Sequence, residues 1–118
     1  MSRRILVIED EPLNRKYIGA YLREQGYDVE EAEDGAQAVE RMHGSQFDLV
    51  VSDIRMPNID GVTAIAHLRS LSPETPVVIV TAFPQAVVAL SRLPRVVVVS
   101  KPVLLDNLRA EIRHLLRA

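Results

Sequence analysis

Short apolar runs alternate along the chain with longer stretches in which apolar residues recur every three or four positions. The runs at residues 5–8, 27–32, 49–51, 77–80 and 96–99 predict strands. Four of them are rich in β-branched residues and lack clean alternation, which is how strands covered on both faces read. The first helical stretch opens at Pro12, a residue suited to a first helical position, and carries Leu13, Tyr17, Ile18, Tyr21 and Leu22. It stops at Gly26, suited to a left-handed cap. Gly35 introduces a second helix with Ala36, Val39 and Met42 on one side, and a third follows Gly61 with Val62, Ile65, Ala66 and Leu68. A fourth, at about residues 85–91, is short, and the last places Leu105, Leu108, Ile112, Leu115 and Leu116 at helical spacing toward the core.

Five strands alternating with five helices predict an α/β domain with a mostly parallel sheet and helices on both faces. Right-handed crossovers leave few possible windings. In such sheets a site forms beyond the carboxyl ends of the strands, where the winding reverses. The strand ends are therefore the positions to read for chemistry.

With 118 residues, 47% of them apolar and 25% charged, the chain predicts one globular domain over residues 1–118. The absence of cysteine excludes disulfides, thiolate metal sites and cysteine nucleophiles. No apolar run is long enough to cross a bilayer as a helix. Residues 1–4 lead straight into an apolar run with no small-residue cleavage site, which predicts no signal peptide and a cytoplasmic location. The net charge of −2 marks neither a direct nucleic-acid binder nor a membrane-surface protein. Its distribution is uneven: residues 1–60 carry a net −6 and residues 61–118 a net +4.

Glu9, Asp10 and Glu11 follow the first strand, Ser52 and Asp53 the third; the fourth ends at Thr81 and the fifth at Ser100-Lys101-Pro102. Polar residues end many strands because loops are wet. The combination is more informative, since converging carboxylates repel unless positive charge sits among them. Mg²⁺, which takes oxygen ligands and commonly uses one or two carboxylates plus phosphate oxygens, fits that need. With Lys101 as a second positive charge and Thr81 as a hydroxyl donor, the set suits receipt of a phosphoryl group. An Asp carboxylate can itself be the nucleophile, giving an acyl phosphate.

These residues resemble the receiver domains of bacterial two-component response regulators, the chemotaxis-type, flavodoxin-like fold with strand order 2-1-3-4-5. The resemblance runs from Ile5 to Leu116 and rests on Ile8-Glu9-Asp10-Glu11-Pro12, the segment from Ser52-Asp53 through Arg55-Met56-Pro57 to Asp60-Gly61, Thr81-Ala82, and Lys101-Pro102. It implies that Asp53 accepts phosphate from a histidine kinase or histidine phosphotransfer protein. It also implies that Glu9, Asp10, Asp53 and the Arg55 backbone carbonyl hold Mg²⁺, that Thr81 and Lys101 contact the phosphoryl oxygens, and that the Lys101–Pro102 bond is cis. Pro57 and Gly61 suit a tight loop after the third strand.

Three features depart from the family pattern. Val98 stands where an aromatic residue usually switches rotamer, a motion valine cannot reproduce. The segment from Thr81 to Lys101 is shortened, with Leu93-Pro94-Arg95 before the fifth strand. The chain stops at Ala118, as expected of a stand-alone receiver or one excised from a longer protein. Thr81-Ala82-Phe83 and Ser100-Lys101-Pro102-Val103 also resemble stand-alone receivers that act unphosphorylated as adaptors for a protease, so a protein output partner is expected whose identity the sequence does not carry.

Arg109, Arg113 and Arg117 form a stripe on the last helix, with Arg92 and Arg95 expected nearby, either a solvated face or a surface for an acidic protein. His43, His67 and His114 lie on three different helices without pairing spacing, and indicate neither a zinc site nor a phosphodonor. Arg55 and Phe83, each two residues beyond a site residue, border the approach of a hydrolytic water and are expected to tune dephosphorylation. A flavin-type cofactor binder is disfavoured because Glu9-Asp10-Glu11 would repel a phosphate. A metal-dependent phosphohydrolase is disfavoured because Pro12 stands where a second Asp is expected by resemblance.

Overall fold

The computed structural model describes residues 2–53, 59–85, 88, 92–102 and 104–117. Strand β1 (Arg4–Ile8) pairs on one side with β2 (Asp28–Ala32) and on the other with β3 (Leu49–Asp53). Strands β4 (Val77–Thr81) and β5 (Val96–Ser100) continue the sheet, giving the order β2-β1-β3-β4-β5 with every pairing parallel. The helices are α1 (Pro12–Glu24), α2 (Gly35–Gly44), α3 (Ile59–Leu71) and α4 (Leu105–Arg117).

The apolar runs lack alternation because both faces of the sheet are dry. Leu6, Ile8, Val50 and Ile79 point to a core completed by Ala38, Met42, Ile65 and Leu68 of α2 and α3. Their neighbours Ile5, Val7, Leu49, Val51, Val78 and Val80 point to the other face, against Ile18 and Leu22 of α1 and Leu108 and Ile112 of α4. Strand side chains alternate in direction; here both directions lead to a hydrophobic layer.

Helix ends follow local chemistry. The Glu11 carboxylate accepts from the backbone N–H groups of Leu13 (3.2 Å) and Asn14 (2.7 Å), capping α1 just ahead of Pro12. The Asp34 carboxylate accepts from Gln37 N–H at 2.8 Å and caps α2. Gly26 closes α1 at φ +95°, where a side chain would be strained, and its N–H donates to the Arg23 carbonyl at 3.0 Å.

Several sequence expectations change. Helix α3 starts at Ile59, so Gly61 lies inside it instead of in a loop before it; Pro57 lies outside the described residues. Leu13 and Tyr17 are 75% and 65% exposed because the 100° turn per residue puts them on a different face of α1 from Ile18 and Leu22, which the core covers. Ala36 and Ala66 are exposed, and Ala38 and Ala64 take the core positions, as the 100° turn per residue requires. Strand β2 begins at Asp28, one residue after the expected start. Of the short fourth helix expected at 85–91, residues 86, 87 and 89–91 lie outside the described residues, while Pro84, Gln85 and Val88 adopt tight 3₁₀ geometry.

Candidate functional site

Four parallel strands deliver their carboxyl ends to one edge of the sheet. Glu9 follows β1 directly and is fully buried, its N–H donating to the Ala32 carbonyl of β2 at 3.0 Å. Asp53 is the last residue of β3, with its side chain only 3% exposed. Thr81 ends β4, fully buried, and its hydroxyl oxygen accepts from Phe83 N–H at 3.0 Å. Lys101 follows β5, and its N–H donates to the Thr81 carbonyl at 2.7 Å, tying the two strand ends together. The Lys101–Pro102 peptide bond is cis.

Charge is arranged around Asp53. The Lys101 ammonium lies 2.7 Å from Asp53 Oδ2. The other oxygen, Oδ1, and Oε2 of Glu9 are buried without a hydrogen-bond partner among the described residues. Burial first, and the adjacent Asp53 carboxylate second, push Glu9 up from 4.5 to about 7, with Asp10 adding a smaller push. The Asn14 amide, donating to Glu9 Oε1 at 3.3 Å, works in the opposite direction. The Arg15 guanidinium donates to the Glu9 backbone carbonyl at 2.8 Å.

Two buried carboxylates with one lysine, paired to Asp53, leave an excess negative charge that a proton or a cation can relieve. The donors are all hard oxygens, and two of them are unsatisfied, so the residues fit Mg²⁺. Glu9 and Asp53 are the part of the expected ligand set that the fold brings together. Asp10 is exposed at the rim, and Arg55 lies outside the described residues. Among the described residues, no three His, Asp or Glu side chains are close enough together to hold an ion as they stand.

Phe83, 48% exposed, stands directly beyond Thr81. Val98 is half-buried on β5 opposite Ile79 and packs on the core beneath α2 and α3. Of the arginines, Arg109 donates to Gln25 Oε1 at 2.9 Å and Arg95 reaches the Leu115 carbonyl at 3.5 Å, so both touch α4 surroundings as structural ties.

Sequence reasoning missed Asn14 and Arg15, whose contacts depend on the angle at which α1 leaves β1. It also missed a pair of histidines: His43 Nε2 and His67 Nε2 are 3.0 Å apart. Separation by 24 residues on two helices gives no spacing signal, and only the packing of α2 beside α3 joins them.

The sheet order, the winding and the acid, hydroxyl and lysine at its carboxyl edge define a CheY-like receiver fold. The chain belongs to the response regulator receiver domain family, whose profile matches residues 5–113. It is 35% identical over 114 residues to the transcriptional regulatory protein ZraR of Escherichia coli K12, covering 95% of this chain and 26% of that protein. The chain thus spans about a quarter of that relative's length. Among solved structures, the response regulator receiver protein of Sinorhizobium medicae WSM419 matches with a TM-score of 0.88 and 27% identity, over 99% of this chain and 96% of that one. The Thermotoga maritima response regulator TrrA, solved with Mg²⁺ and BeF, matches with a TM-score of 0.79 and 31% identity, over 96% and 98%. Receiver domains act in two-component signalling, where they interact with histidine kinases and phosphotransfer proteins, and they generally bind Mg²⁺ at the phosphorylation site. Among the described residues no helix is long and apolar enough to cross a membrane.

Proposed function

We propose that this protein is a phosphoacceptor switch in which Asp53 takes a phosphoryl group from the phosphohistidine of a histidine kinase or phosphotransfer protein in the cytoplasm. The observation that carries the reading is the state of the Asp53 carboxylate: one oxygen held by Lys101 at 2.7 Å, the other buried and, among the described residues, without a hydrogen-bond partner. An Asp53 oxygen attacks phosphorus, the P–N bond to the donor imidazole breaks, and the imidazole nitrogen keeps the electron pair. Lys101 then moves from compensating a carboxylate to compensating a phosphoryl oxygen, and the Thr81 hydroxyl donates to another. Mg²⁺, held by Glu9, Asp53 and Asp10, would supply charge neutralisation on the phosphoryl oxygens. Asn14 holds one oxygen of the Glu9 carboxylate, and Arg15 holds the Glu9 backbone carbonyl.

A protein donor must sit over this sheet edge for its imidazole to reach Asp53. Leu13 and Tyr17 of α1 are exposed apolar side chains on the helix that follows Glu9, and Phe83 and Leu104 are exposed on the segments that follow Thr81 and Lys101. They suit the apolar centre of such a contact. The chain itself catalyses its phosphorylation and a slow dephosphorylation; it turns over no substrate beyond this. The phosphorylated form presents a changed surface to a protein partner.

Intact mass after incubation with acetyl phosphate and Mg²⁺ tests the chemistry. The wild type gains about 80 Da, the mass of one phosphoryl group, and Asp53→Asn gains nothing. An equal gain in both proteins places the phosphate elsewhere and overturns the reading.

A further inference from the structure

The histidine pair lies apart from the phosphoacceptor edge. Helices α2 and α3 each carry the chain back from the carboxyl edge of the sheet, and His43 is the penultimate residue of α2. Its ring meets that of His67 at an interplanar angle of 64°, with centroids 4.9 Å apart and the two Nε2 atoms at 3.0 Å. At that distance an N–H on one ring can donate to the bare nitrogen of the other.

We propose that His43 and His67 form a two-ligand site for a late first-row divalent cation, Cu²⁺ most tightly and Zn²⁺ or Ni²⁺ less so, clamping α2 to α3. Imidazole nitrogens bind these ions at about 2.0–2.1 Å. Two such bonds at 90–110° put the nitrogens about 2.8–3.4 Å apart, a range that contains the observed 3.0 Å. The two ring nitrogens therefore stand at a separation a metal can bridge, and binding turns both lone pairs onto the ion and displaces any proton from Nε2. The carbonyls ending α2 add negative potential beside His43. Water completes the coordination. Imidazole prefers these ions to Mg²⁺, so this site and the carboxylate site select different cations.

The test uses untagged protein in the Asp53→Asn background with saturating Mg²⁺, which removes and blocks the carboxylate site. Cu²⁺ and, separately, Zn²⁺ are titrated by calorimetry, with thermal melts in parallel. One ion binds per chain, and the melting temperature rises by several degrees. His43→Gln and His67→Gln each weaken binding about tenfold or more. His114→Gln, on exposed α4, leaves it unchanged. Both substitutions in the pair are on exposed or half-exposed positions, and a melt in EDTA confirms that each variant folds. Affinity unchanged in either pair variant, or a loss with His114→Gln as large as theirs, overturns the proposal and reduces the binding to an adventitious ion only.

Discussion

Lys101 Nζ reaches across the end of β4 to lie 2.7 Å from Asp53 Oδ2, so the ammonium of one strand end is held by the carboxylate of another two strands away. The Asp53 side chain is 3% exposed and that of Lys101 29%. Removing the ammonium leaves the buried Asp53 carboxylate near Glu9 without that countercharge. Lys101→Met is expected to destabilise the protein by about 2 kcal/mol, below the ~3–5 kcal/mol of a fully buried pair because Lys101 keeps some solvent. Asp53→Asn removes the same ion pair but also the repulsion on Glu9, so its cost should be smaller. Urea melts of the two variants without Mg²⁺ check this ordering. Equal losses would show that the Glu9–Asp53 repulsion is negligible.

Glu9 makes stability depend on pH in a definite direction. Its acid form is favoured by folding, from 4.5 up to about 7. Between those values the folded state binds a proton that the unfolded state has released, so stability falls as pH rises and levels off above about 7. Melts in EDTA from pH 5 to pH 8 should therefore decline. Glu9→Gln should flatten the decline, and Asp53→Asn should lower the Glu9 pKa without returning it to 4.5, since burial is the larger cause. A wild-type slope retained in Glu9→Gln would assign the pH dependence to another group.

A cation at these carboxylates competes with that proton. Mg²⁺ is expected to raise the melting temperature, and by more at pH 8 than at pH 5.5, because at the lower pH Glu9 is protonated. Asp10→Ala should lose most of the gain. A melting temperature that EDTA leaves unchanged at millimolar Mg²⁺ would reject the carboxylate pocket as a metal site.

How far the site was legible depends on which residues stand in local order. Asp53, Thr81 and Lys101 each end or follow a β-branched run, so the pattern that marks a strand also marks its last residue. Parallel winding then puts those ends on one edge. Glu9 was legible as an acid, but its raised pKa comes from burial and from the Asp53 carboxylate that the fold brings beside it, neither of which local order shows. Leu13 and Tyr17 show the opposite case: helical spacing assigned them with Ile18 and Leu22, although only the latter two have a sheet beneath them. His43 and His67 carry no signal within either helix, since their meeting is a property of the α2–α3 packing alone.

Val98 bears on how phosphorylation is read out. Packed on the core opposite Ile79, a valine has no second rotamer that would open a path for Thr81. Phosphorylation is expected to shift the segment between β4 and β5 while the Val98 side chain stays put. Methyl and amide NMR shifts before and after phosphorylation check it; changes confined to the loop after β1 would sink this route.

The lifetime of the phosphorylated form turns on access of water to phosphorus. Hydrolysis needs a water in line with the Asp53–phosphorus bond, on the side away from the carboxylate oxygen. Phe83 follows Thr81 by two residues and is anchored there by the 3.0 Å bond from its N–H to the Thr81 hydroxyl oxygen. Its ring offers no group to orient a water and has the bulk to shield the approach. Arg55, two residues beyond Asp53, can pair with phosphoryl oxygens and hold them. Self-hydrolysis is therefore expected to be slow, so that reset depends on return of the phosphoryl group to a partner or on a phosphatase. Replacing the ring with a carboxylate supplies an acceptor for the attacking water, and removing the guanidinium frees the phosphoryl oxygens. Phe83→Glu with Arg55→Asn should shorten the lifetime at least several-fold at fixed Mg²⁺, followed by loss of the phosphorylated mass with time. A double variant that decays no faster than the wild type would show that the lifetime is set by the Lys101 and Thr81 contacts instead of by shielding.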